Sequence, residues 1–172
     1  MLRRQIRRID DYLCLDISST ATGAVYKAAR MAPVWELFAC KDKDPLARIH
    51  NMTDMIKYWV KRVRSYNVQY TERLHVLVET PFYSPGKSHD LPIKMAHGAI
   101  FYALSDFLPV ISWNYVHVST WRSKILPKKV KMTKEEKKAW VLQKMAEHYN
   151  MEITDDNVGD AFGILHWKEN YT

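Results

Sequence analysis

Two apolar, β-branched-rich runs each carry a carboxylate at or next to their end: Tyr12-Leu-Cys-Leu-Asp16-Ile17 and Leu74-His-Val-Leu-Val-Glu79. Such runs read as buried strands. A lone charge there is costly unless something neutralises it, so the fold must bring these acids to a counter-charge. A further acidic stretch, Thr154-Asp-Asp-Asn-Val-Gly-Asp160-Ala-Phe162, uses spacings of three and four that stack side chains on one helical face. Carboxylates converging from two strand ends and one helix face suit hard divalent cations such as Mg²⁺, which take oxygen ligands and favour phosphate substrates.

At 172 residues, 47% hydrophobic and 12% aromatic, the chain is long enough for a sizeable core and too apolar for disorder. One domain spanning 1–172 is expected, with 1–8 a flexible basic tail. Cys14 falls inside a predicted strand and Cys40 shows no CxxC or Cys/His pattern, so both are expected to be reduced thiols of an intracellular protein. Arg3, Arg4, Arg7 and Arg8 are followed by Asp10 and Asp11 rather than the apolar run of a secretory signal. The most apolar stretch, Met95 to Trp113, is broken by His97, Ser105, Asp106 and Pro109 and falls short of a membrane span. A soluble protein without a membrane partner is expected.

The net charge of +7, from 26 Lys and Arg against 19 Asp and Glu, favours polyanionic partners without identifying one. Basic residues cluster at 3–8, 57–64 and 122–138, away from Asp16, Glu79, Asp156 and Asp160. Acids gathered at one point on a basic surface fit a nuclease better than an acid-binding module. The bland rival is a solvated basic face.

Strands are expected at 11–17, at Val25-Tyr-Lys-Ala28 and at 34–38, with a turn over Ser18 to Gly23. Met52, Met55, Ile56, Trp59, Val60 and Val63 recur at offsets of three and four, which predicts a helix over 52–66. A fourth strand follows at 73–79, a second helix at 91–107 with Pro92 in its first turn, and a fifth strand at 110–118. Ser119 to Lys131 reads as a basic loop. Thr133 and Glu136 form a capping box for a helix carrying Leu142, Met145, Ala146 and Tyr149 on one face. Thr154 is expected to cap the last helix, with Val158, Ala161, Phe162 and Leu165 facing the core. The order implies an α/β fold, a mixed five-stranded sheet flanked by helices.

Leu15-Asp-Ile-Ser-Ser-Thr-Ala-Thr-Gly-Ala-Val-Tyr26 as an opening strand and hairpin, Val78-Glu-Thr-Pro-Phe-Tyr83 ending strand four, a basic stretch after strand five, and Asp160-Ala161 in the final helix occur in a telling order. Together they resemble the RNase H-like nucleases, and specifically the RuvC-type Holliday junction resolvases, in their compact phage or mobile-element versions. The likeness spans essentially the whole chain. It implies Asp16, Glu79, Asp160 and Asp156 as catalytic metal ligands and two Mg²⁺ or Mn²⁺ ions per active site. The bacterial resolvases usually place the fourth ligand three residues before the final Asp. That position here is Asn157, so Asn157, through its amide oxygen, or Asp155 is the alternative to Asp156. The resemblance further implies a cytoplasmic, nucleoid-associated protein that resolves four-way DNA junctions by paired nicks. It also implies a homodimer, for which the apolar helix over 91–107 is the candidate face.

Each residue has a plainer reading: Asp16 as a turn-forming acceptor, Glu79 as an exposed strand end, Asp155 and Asp156 as helix N-terminal charges, and His97 as a packing residue. For DNA binding, Trp121, Arg122, Lys124, Lys128, Lys129 and Lys131 combine cations with an aromatic that could stack on an unpaired base. Tyr83 and Lys87, just after Glu79, are placed to reach a junction. Rival functions are a nuclease on other branched DNA or on RNA–DNA hybrids, and a catalytically inactive DNA-binding relative. An actin-like ATPase needs Gly-rich loops that a chain with five glycines lacks. No small-molecule cofactor is expected.

Overall fold

The computed structural model describes residues 10–28, 31–66, 73–81, 90–106 and 111–172. Its elements are β1 (Asp10–Ile17), β2 (Ala21–Lys27), β3 (Val34–Ala39), α1 (Pro45–Ser65), β4 (Arg73–Glu79), α2 (Asp90–Ser105), β5 (Ile111–Val116), α3 (Val118–Ile125), α4 (Lys134–Tyr149) and α5 (Asp156–Tyr171). The expected mixed sheet is present, in the order β3-β2-β1-β4-β5. β2 runs antiparallel to β1 and β3, whereas β4 runs parallel to β1 and β5.

Strand alternation sorts the side chains into two cores. Leu13, Leu15 and Ile17 of β1 and Leu74, Val76 and Val78 of β4 pack under α1 and α2, against Ile56, Trp59, Ala96 and Ile100. Cys14 and Leu77, of opposite parity, pack under α3, α4 and α5 with Trp121, Met145, Val158 and Phe162. Asp16 and Glu79 share that second parity, so both carboxylates face the α5 side of the sheet.

Several boundaries differ from the sequence reading. β2 begins at Ala21 because Ser18 closes a tight hairpin, its N–H donating to the Ala21 carbonyl at 2.9 Å, so Thr22 and Gly23 lie in the strand. α1 begins at Pro45, seven positions before the apolar period, because Asp44 caps it and Pro45 suits the first helical position. Residues expected as a basic loop form α3, capped by the His117 side chain, which accepts from the Ser119 N–H. The N-cap of α5 is Asp155 rather than Thr154. The capping box of Thr133 and Glu136 is present as expected. Phe107 and the tail at 1–8 lie outside the described residues. Among the described residues no helix is long and apolar enough to cross a membrane.

Candidate active site

The parallel pairing of β1 with β4 ends at Leu15 opposite Val78. Asp16 and Glu79 each follow by one position, so they emerge side by side at the carboxyl ends of two parallel strands, where open α/β sheets place their ligand sites. The third acid arrives on α5. Asp155 seats that helix by accepting from the Asn157 and Val158 N–H groups at 2.8 and 3.2 Å. Gly23, the Cα partner of Asp16 on β2, lies directly under this first turn. A Cβ there would overlap the Asn157 carbonyl and the Val158 nitrogen, so only glycine lets α5 approach this closely. One turn on, Asp160 is 7% exposed beside Val158, Ala161 and Phe162.

The three acids sense one another. Burial, then the charges of Glu79 and Asp160, hold the Asp16 carboxyl well above its usual range, with Arg122 opposing. Burial and the Asp160 charge push Glu79 up to about 7, against Arg122 and a Trp121 hydrogen bond. Asp160 is also raised by burial, though Arg122 lowers it again. Burial comes first for all three, and acidic neighbours add to it, so negative charge is gathered where little water screens it. Asp156 is more peripheral: it pairs with Lys138 at 2.5 Å, with side chains 41% and 36% exposed.

The basic candidates divide. Trp121 is wholly buried, its ring against Gly163, where a Cβ would collide with it. Its indole N–H donates to Glu79 Oε2 at 3.0 Å. The expectation that Trp121 offers a stacking face to a base is therefore corrected: α3 turns it inward as a positioning group for an acid. Arg122 is ion-paired with Asp160 rather than free. Lys124 lies over the Tyr171 ring at 5.4 Å. It lines a cleft of about 370 Å³ with Lys144, His148 and His166. Lys128, Lys129 and Lys131 are exposed on the connection between α3 and α4, where Lys129 adopts a left-handed φ of 63°. Tyr83 and Lys87 lie outside the described residues. His97 is buried, its ring 5.8 Å from that of Tyr115. The sequence reading missed Lys138, whose signal was its place in the densest basic cluster.

Among the described residues, no three His, Cys, Asp or Glu side chains form a ready-made metal-holding group. The donor set nevertheless fits a hard divalent cation. It offers buried carboxylate oxygens from three separate elements, each raised by burial, with one guanidinium among them.

Solved structures that share this fold include two of RuvC. T. thermophilus RuvC in complex with Holliday junction substrate superposes with a TM-score of 0.67 at 15% identity, covering 94% of this chain and 96% of that one. A second Thermus thermophilus RuvC structure gives a TM-score of 0.61 at 15% identity, with 92% and 95% covered. No curated protein matches the sequence. The RNase H-like, RuvC-type fold expected from the sequence is thus present. Residues 10–170 match the family described as Lactococcus phage M3 protein (DUF3882), and the chain belongs to that family.

Proposed function

We propose that this chain is a divalent-metal-dependent endonuclease that cuts branched DNA, four-way junctions above all, by hydrolysing phosphodiesters. The observation that carries the reading is the convergence of Asp16, Glu79 and Asp160 at the ends of β1 and β4 and on α5, buried where little water screens their charge. Asp16, Glu79 and Asp160 would hold Mg²⁺ or Mn²⁺, with Asp156 as the outer fourth ligand. Bound there, a pair of ions would supply an activated water and stabilise the leaving 3′ oxygen. Trp121 fixes one oxygen of Glu79, so the second would be the one offered to a cation. Likeness in fold to a RuvC solved with a Holliday junction supports the choice of substrate.

Two-fold substrates suit a homodimer. Leu91, Met95 and Tyr102 of α2 are 63%, 39% and 76% exposed, an apolar stripe beside the core-facing Ala96, Ile100 and Leu104. This stripe would be the dimer face.

The test is single-turnover nicking of a synthetic four-way junction against flap, duplex and RNA–DNA hybrid at equal salt. Asp16→Asn and Asp160→Asn are expected to slow nicking by about a hundredfold or more while leaving junction binding in Ca²⁺ intact. Light scattering of the same protein should give a dimeric mass. Wild-type rates for Asp16→Asn would refute the reading.

A further inference from the structure

Two consecutive residues of α3 grip two different acids. Trp121 is 0% exposed, and its indole N–H donates to Glu79. Arg122 donates from Nη2 to Asp160, with side chains 25% and 10% exposed. Its guanidinium carbon also lies 4.9 Å from the Trp121 ring centroid. The indole wedged against Gly163 fixes the helix, so α3 itself is not free to retreat. The Arg122 side chain is held less completely. Only Nη2 reaches the carboxylate, and Nε is buried without a hydrogen-bond partner among the described residues. A two-bond fork, the stronger arrangement of an arginine–carboxylate pair, is not formed here.

We propose that Arg122 is a built-in stand-in for the metal: in the metal-free protein its guanidinium balances the acid cluster through Asp160, and it must release that oxygen before a divalent cation can take it. This rests on the nuclease reading above. Without Arg122 the only cation acting on Asp160 would be Lys138, which is ion-paired to Asp156, so buried negative charge would be left largely unpaired, which is destabilising. With it, an ion that takes the Asp160 oxygen must displace a competitor. The movement is a swing of one side chain about a fixed helix, towards the edge where Arg122 is already partly exposed. Lys138 provides the contrast, because its pair with Asp156 lies largely in water and should compete weakly.

The experiment is thermal melting of the full chain, first in EDTA and then titrated with Mn²⁺ and with Mg²⁺ at fixed pH and ionic strength. Arg122→Met keeps an apolar stem over Trp121 and removes the charge. It should melt lower than wild type in EDTA, gain more from metal, and reach half its stabilisation at about tenfold lower metal concentration. Lys138→Met should shift that concentration far less. Equal half-saturating concentrations for Arg122→Met and wild type, or equal shifts for the two variants, overturn the proposal. If Arg122→Met does not fold, NMR on the wild type decides, with Arg122→Lys used for assignment. The Arg122 Nη signals should show restricted rotation in EDTA and averaged rotation with Mg²⁺, and signals unchanged by metal overturn the inference. A wild-type protein that binds no metal at all sinks the nuclease reading as well. A normal wild-type response unaffected at Arg122 sinks only this step.

Discussion

At the scale of single residues, burial sets the chemistry. His97 on α2 is 3% exposed. Burial pushes its pKa down to about 4, opposed by the Ile17 backbone. The unfolded chain takes up this proton near pH 6.5, whereas the folded chain resists until about 4. The stability His97 contributes is therefore present above pH 6.5 and lost as pH falls towards 4. The acids of the site run the opposite way: Glu79, held at about 7 when folded against 4.5 unfolded, costs stability as pH rises between those values. Comparison with His97→Leu isolates one term from the other. Between pH 7 and pH 4, wild type should lose up to about 3 kcal/mol relative to that variant in metal-free denaturant melts. A gap that stays constant across this range would show that the histidine takes up its proton at the same pH in the folded and the unfolded chain.

At the scale of elements, the site depends on how closely α5 lies on the sheet. Gly23 and Gly98 offer a matched comparison. A Cβ at Gly23 meets the backbone of Asn157 and Val158, whereas one at Gly98 on the exposed side of α2 meets nothing within 4 Å. Gly23→Ala must lift the first turn of α5, carrying Asp160 away from Asp16. It should cost about 3 kcal/mol or more and also lower the nicking rate. Gly98→Ala should stabilise by roughly 0.5–1 kcal/mol, the helical advantage of alanine, and leave the α5 contact intact. Urea midpoints of the two variants check both signs, and equal effects would mean that the α5 contact is readily relaxed.

At the scale of the whole molecule, the excess of positive charge is spread unevenly. Near the acids it is used internally, Arg122 on Asp160 and Lys138 on Asp156. Lys128, Lys129 and Lys131 remain exposed on the α3–α4 connection. If these three carry the DNA backbone, replacing them with Ala should flatten the log–log salt dependence of junction binding by about 2–3, roughly 0.9 for each phosphate no longer neutralised. Measured in EDTA, Arg122→Met should leave that slope almost unchanged, because its charge is then turned inward on Asp160. Binding isotherms at several salt concentrations decide between the exposed connection and the rest of the basic surface.

The chain alone determined the alternation of β1 and β4, the acids at their ends, the Thr133 capping box and the core-facing positions Val158, Ala161, Phe162 and Leu165. All follow from the two-residue and 3.6-residue periods of the backbone, which are local. Sequence also placed Asp16, Glu79 and Asp160 on elements that the sheet then brought together. Tertiary structure alone decided the role of α3. An eight-residue helix capped by a histidine carries little local signal, and Trp121-Arg122-Ser-Lys124 reads locally as exposed and basic. Whether Trp121 faces water or core depends on Gly163 opening a slot on another helix, and whether Arg122 meets DNA or Asp160 depends on the depth at which α5 sits over Gly23. Those are distances between segments far apart in the chain. A carboxylate short of positive charge draws in whichever cation the packing brings nearest, and only the packed fold brings Arg122 to Asp160.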